Sequence, residues 1–228
     1  LSLSARARAE SIYWACCRKV RDIVRELESV PVELEKLEPD LSSIYYTNMS
    51  VFQSCPDSWA IDQLFPIMPI HRLQEEPSER ATLADLTCEK KKKIDRFIAH
   101  KEDVKTLLEV HSLLPSASDQ GRPHQPYYLG MFLTGAYQEI MGNLHNLFGD
   151  INAVHISMTN DGYEVEHVVR GDTMKEVLSY VQYNSEDLVE AVRRQTEKAV
   201  QASSMTIEEA QKLLQNYETS LNRYTYLT

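Results

Sequence analysis

The sequence predicts an α+β fold in which a helical segment comes first, a sheet or small barrel follows and a set of helices closes the chain. Three observations carry this. Apolar residues recur at three and four near the start and again after Gly171, short β-branched runs occupy the middle, and the punctuation is uneven. All nine prolines fall at or before Pro126, and all seven glycines lie between Gly121 and Gly171.

Ile12, Ala15, Cys16, Val20, Ile23, Val24 and Leu27 share one face of a helix predicted over Ala5 to Ser29. Pro31 interrupts it. Leu34, Leu37, Leu41 and Ile44 then predict a second helix, or two short ones turned at Pro39, reaching Tyr46. Strands are predicted at Gln63 to Ile70, Ala81 to Thr87, Tyr128 to Leu133, Ala153 to Thr159 and Tyr163 to Val169. Pro66 and Pro69 confine the first to an edge or a bulge, and Asn160-Asp161-Gly162 marks a hairpin. Ile140, Met141, Leu144 and Leu147 place a helix over about 136–147. Ser112 to Pro126 reads as a long loop. Beyond Gly171, Met174, Val177, Leu178, Val181, Leu188, Val192, Ile207, Ala210, Leu213, Leu214 and Tyr217 fit three helices. Asn184 or Ser185 starts one, and Thr206 with Glu209 three residues later starts another as a capping box.

A chain of 228 residues, 43% hydrophobic and 25% charged, can bury a core. No apolar run approaches the roughly 20 residues of a membrane helix, so no membrane partner is expected. A net charge of -10 opposes nucleic acid and anionic lipid. Cysteines at 16, 17, 55 and 88 form no CxxC pair, which points to reduced thiols in a cytoplasmic protein without structural zinc. The start at Leu1 shows no apolar signal segment and reads as internal to a longer chain.

Nucleotide-loop, metalloprotease and nucleophile-elbow patterns are missing from the sequence. His145 and His155 lie on different predicted elements, and no metal ligands are assigned. Cys88, after the run ending at Thr87, is either a thiol held at a strand end as a general acid or a small buried apolar residue. Lys90 to Lys93 form a solvated turn or an anion site. Tyr137 either directs its hydroxyl towards an anion at a helix start or packs at a strand-to-helix corner. Trp59 reads first as a core residue.

Four blocks add a further signal: Pro56-Asp57-Ser58-Trp59-Ala60-Ile61-Asp62-Gln63-Leu64-Phe65-Pro66, Leu86-Thr87-Cys88, Gly135-Ala136-Tyr137-Gln138-Glu139-Ile140 and Asn143-Leu144-His145-Asn146-Leu147-Phe148-Gly149-Asp150. With the closing Tyr224-Thr225-Tyr226-Leu227, the chain resembles the biosynthetic arginine decarboxylases over nearly its whole length. That resemblance implies a pyridoxal phosphate enzyme of the alanine-racemase type, converting arginine to agmatine and carbon dioxide for polyamine synthesis. It implies a helical-bundle segment over 1–48, a β-barrel of mostly antiparallel strands over 49–169 and a C-terminal helical domain over 170–228. The (β/α)8 barrel and its cofactor-bearing lysine are implied to lie upstream, outside this chain, so this chain alone is expected to be inactive.

By the same resemblance, Cys88 is the cysteine brought across a dimer interface to govern protonation of the substrate carbon, and Tyr137 stands beside the cofactor phosphate. Glu89 takes the place of the aspartate that binds the substrate's distal cationic group, one methylene longer. The implied partners are the upstream barrel, arginine and a second copy in a dimer or tetramer. Magnesium is implied too, although no ligand cluster in the sequence supports it. Lys90 to Lys93 replace the family's Ser-Asp-Gly-like turn with charges that repel a guanidinium. This departure sustains two rival expectations: a catalytically impaired regulatory or interaction subunit, and a decarboxylase for another basic amino acid.

Overall fold

A computed structural model describes residues 2–89, 93–100, 103–113 and 126–227. It has mixed α+β structure in two compact units interleaved along the chain. Unit 1 comprises 1–46, 64–84 and 93–133, and unit 2 comprises 47–63, 85–92 and 134–228.

Unit 1 opens with α1 (Leu3–Val24), whose first turn is capped where the Ser2 hydroxyl accepts the Ala5 N–H. None of its residues is buried, and Ile12, Val20 and Ile23 of its apolar stripe are exposed, as are Tyr13 and Trp14. Of the two alternatives predicted up to Tyr46, the single helix is not formed, and the pair of short ones gives way to a strand at its end. A 3-10 turn at Val32–Leu34 and the short α2 (Leu37–Asp40) are followed by strand β1 (Ser43–Tyr46). β-Branched and aromatic Ile44, Tyr45 and Tyr46 suit a pleated, half-buried surface, and β1 pairs in parallel with β3 (Glu79–Ala84).

β4 (Lys93–Ile94) and β7 (Leu108–Val110) pair antiparallel with β3, completing a four-stranded sheet. β2 (Ile67–Pro69) pairs with β8 (Leu129–Met131), and β5 (Phe97–Ile98) with β6 (Val104–Lys105). Ala81, Leu83, Phe97, Leu108 and Val110 form the core of this unit, flanked by Tyr45, Ile67, Tyr127 and Leu129. Most of the predicted Ser112 to Pro126 loop, residues 114–125, lies outside the described residues.

Unit 2 holds α3 (Val51–Ser54), α4 (Pro56–Ala60), α5 (Gly135–Ile140), the hairpin β9 (Ala153–Thr159) and β10 (Gly162–Val169), then α6 (Met174–Tyr180), α7 (Ser185–Gln201) and α8 (Ile207–Leu221). The helix predicted to run to Leu147 stops at Ile140, and a separate 3-10 turn covers His145–Leu147. Gly162, at φ +143, supplies the hairpin backbone that a side chain would resist. Thr206 and Glu209 form the expected capping box, Thr173 and Glu176 form another, and Asn184 caps α7.

Among the described residues, the strands of the barrel expected over 49–169 do not close. Among the described residues the strands form the four-stranded sheet and three two-stranded ones. Barrel closure needs every edge to meet another in register. Here several strands are only two or three residues long, too short for many ladder bonds, and among the described residues the long β9–β10 pair joins no further strand.

Candidate active-site segment

β3 ends at Ala84, and Asp85 begins a turn that carries Leu86, Thr87 and Cys88. Cys88 therefore sits four residues beyond the strand rather than at its end, and it is exposed. The turn is fixed from within by buried Asp85. One carboxylate oxygen accepts the Thr87 N–H at 3.1 Å and the Thr87 hydroxyl at 2.8 Å. The other accepts the Val51 N–H at the start of α3 at 2.9 Å. Leu86 N–H donates to the Met49 carbonyl at 3.0 Å. A single carboxylate thus ties the cysteine turn to α3.

Asn146 meets this turn from a second segment. Its side-chain oxygen accepts the Cys88 N–H at 3.3 Å and lies 3.7 Å from Cys88 Sγ. Asn146 and Leu147 are both left-handed, at φ 57 and φ 59. The segment is anchored to α3, because Asn143 N–H donates to the Phe52 carbonyl at 3.0 Å and the His145 ring stacks on Phe52 at 4.1 Å. Phe52 also meets Trp59 at 4.9 Å. Trp59 is 42% exposed, so it edges this cluster instead of filling a core.

Tyr137 lies in the first turn of α5 and is 66% exposed. Its neighbour Gln138 is buried and fastens α5 to α4. Asp57 N–H donates to Gln138 Oε1 at 3.1 Å, and Gln138 Nε2 donates to Asp57 Oδ2 at 2.6 Å. Both Cys88 and Tyr137 are thus open side chains on anchored backbone in unit 2.

Glu89 is exposed beside Cys88, while Lys90 to Lys92 lie outside the described residues and Lys93 begins β4. The cysteines differ sharply. Burial, reinforced by Asp85, pushes the Cys55 thiol up to about 12 and keeps it inert, whereas Cys88 meets solvent. His145 and His155 do not come together: His155 faces His167 across the hairpin at 5.7 Å. Among the described residues, no group of three His, Cys, Asp or Glu side chains is placed to hold a metal ion.

Asp85, Gln138 and Asn146 were not singled out by sequence reasoning. Asp85 was hidden inside an apolar run, whereas Gln138 and Asn146 lay within the quoted blocks without any periodic signal.

Residues 1–38 match the arginine decarboxylase helical bundle domain, and residues 174–227 match the arginine decarboxylase C-terminal helical extension. The chain is 62% identical to the biosynthetic arginine decarboxylase of a Nostoc species over 100% of its own length and 32% of the relative's. It is 63% identical to biosynthetic arginine decarboxylase 1 of a Synechocystis species, again over 100% of this chain and 33% of the relative. The crystal structure of the biosynthetic arginine decarboxylase SpeA from Campylobacter jejuni matches with a TM-score of 0.65 at 30% identity, over 81% of this chain and 29% of that one. The chain spans about a third of the length of the curated relatives it matches.

Proposed function

Because the chain belongs to the biosynthetic arginine decarboxylase family, we propose that it is the C-terminal portion of a pyridoxal phosphate-dependent enzyme converting arginine to agmatine and carbon dioxide. In this reading it works only with the upstream (β/α)8 barrel and a second copy of the enzyme. The observation that carries it is the pairing of an exposed thiol with an anchored turn, at the block whose sequence matches the family.

Each of the two exposed residues fits the rim of a cofactor site, Tyr137 beside the phosphate and Cys88 across the dimer interface at the second copy's cofactor. Tyr137 offers an exposed phenol, which can donate to a phosphate oxygen, and Cys88 offers an exposed thiol, which can deliver a proton. Bound pyridoxal phosphate supplies an electron-accepting ring for the electron pair left when carbon dioxide departs. Cys88 holds its proton at Sγ and gives it to the substrate carbon once carbon dioxide has left. Tyr137 orients the phosphate. Glu89 sets a negative charge near the substrate's guanidinium, at the cost of one added methylene. Among the described residues no group of three His, Cys, Asp or Glu side chains supports a magnesium requirement.

The test is agmatine formation from arginine by this chain alone and by this chain joined to its upstream portion. Activity in the joined protein alone is the expected outcome. An inactive joined protein would favour the regulatory or interaction subunit, a reading that the Glu89-Lys90-Lys91-Lys92-Lys93 run supports by charge repulsion. Replacing that run with a Ser-Asp-Gly-like turn would then restore activity. Competition among arginine, ornithine and lysine checks the substrate choice.

A further inference from the structure

We infer that Asn146 is a positioning residue for the Cys88 thiol, acting through Cys88 rather than on the substrate. The inference deepens the decarboxylase reading and rests on it.

The geometry is specific. One amide oxygen has two lone-pair directions. In Asn146 they face the Cys88 N–H at 3.3 Å and Sγ at 3.7 Å, so a single side chain fixes both the backbone and the thiol rotor of one residue. An exposed thiol otherwise samples three χ1 wells. Holding Sγ–H on a fixed acceptor confines it to one of them and presents the proton from a constant place. Reaction geometry is sensitive to displacements of this kind.

Both ends of the contact are rigidly mounted. On one side, Asp85 clamps Thr87 and Val51, and Leu86 bonds to Met49. On the other, Asn143 bonds to Phe52 and His145 stacks on its ring. Asn146 bridges two segments 58 residues apart in sequence, each fastened to α3. A contact between two mobile loops could not transmit position; this one can.

The backbone adds an independent observation. Asn146 and Leu147 are consecutive residues in left-handed conformation. Asn tolerates this conformation, but Leu adopts it rarely. Such strain persists only where surrounding bonds over-determine it, and it gathers at functional sites. Here the strained turn is what aims the Asn146 amide at Cys88.

The experiment is a double-mutant cycle in the full-length enzyme containing this chain, using Asn146→Gly, Cys88→Ala and the pair. Glycine keeps the left-handed turn while removing the acceptor. Asn146→Gly is expected to lower kcat at least tenfold with KM for arginine within about twofold, and to add less than twofold when Cys88 is already alanine. Alkylation of Cys88 by iodoacetamide in the substrate-free enzyme should change at least threefold in rate, while thermal unfolding stays close to wild type. Should glycine weaken the fold, Asn146→Ser, whose hydroxyl stops one atom short of the amide oxygen, is carried through the same cycle. Two independent, additive losses would overturn the inference and leave Asn146 a purely structural residue. A Cys88→Ala enzyme with undiminished kcat would instead overturn the underlying reading of Cys88, a distinct outcome.

Discussion

Asp85 and Asp150 show how differently two carboxylates in one unit behave. Asp85 is buried and accepts three bonds, from the Val51 N–H, the Thr87 N–H and the Thr87 hydroxyl. Asp85→Ala strands those donors and is expected to cost about 2–3 kcal/mol in urea unfolding. Asp150, by contrast, has its carboxyl raised above the usual 3.8 by burial, then by the charges of Asp172 and Glu139. A raised acid favours the protonated folded state, so its ionised form opposes folding above that raised value, and the opposition fades as pH falls through it. Asp150→Asn keeps an acceptor for Gln53 Nε2, which donates to Asp150 Oδ1. It should stabilise the protein at pH 7 by less than about 1 kcal/mol, an amount discounted for partial exposure. The gain should vanish near pH 3, and urea titrations at the two pH values check it.

At the scale of elements, α6 and α8 are closed by matching devices. The Thr173 and Thr206 side chains accept the N–H groups of Glu176 and Glu209, whose carboxylates reach back to the threonines. Thr206→Ala is expected to cost about 1 kcal/mol. Those bonds hold both glutamates below the ordinary 4.5. With a depressed folded-state value, their contribution is complete above pH 4.5 and is lost as pH falls through the lower folded value. Loss of helical circular dichroism below pH 4.5 should therefore narrow in Thr206→Ala, which has less to lose. Such helix starts were legible because a cap and its partner lie three residues apart. Strand β1 was not, since the local spacing of Leu34, Leu37, Leu41 and Ile44 mimics a helix, whereas Tyr45 pairs with Leu83 far along the chain. Barrel closure leaves no local trace either: strand propensity is local, while closure is a property of edges. Of the candidate site, Cys88 and Tyr137 were reached through matching blocks, but the bonds that hold Cys88 span 34 and 58 residues and leave no periodic trace.

Across the molecule, unit 2 is drawn together by its most C-terminal described residues. Tyr226 is buried, donates its hydroxyl to the Gly149 carbonyl at 2.9 Å, and stacks on Phe148 at 5.2 Å. Burial and the adjoining Tyr224 raise its phenol, so it remains a donor throughout the working pH range. Tyr226→Ala should cost about 3–5 kcal/mol by opening a cavity, whereas Tyr226→Phe should cost about 1 kcal/mol, with thermal and urea unfolding distinguishing them. Beside it, Asn48 and Leu227 exchange two bonds, at 2.7 and 2.9 Å, across 179 residues of chain. That clasp has a temporal meaning. On a ribosome, which releases sequence from the N-terminus onward, Asn48 emerges long before residue 227 and must wait for it. The clasp of unit 2 can therefore close only after almost all of this sequence has been made, while the paired strands of unit 1 all lie at or before residue 133. The cysteine turn belongs to that same unit, so a chain stopping short of Leu227 carries Cys88 in a unit whose clasp is still open.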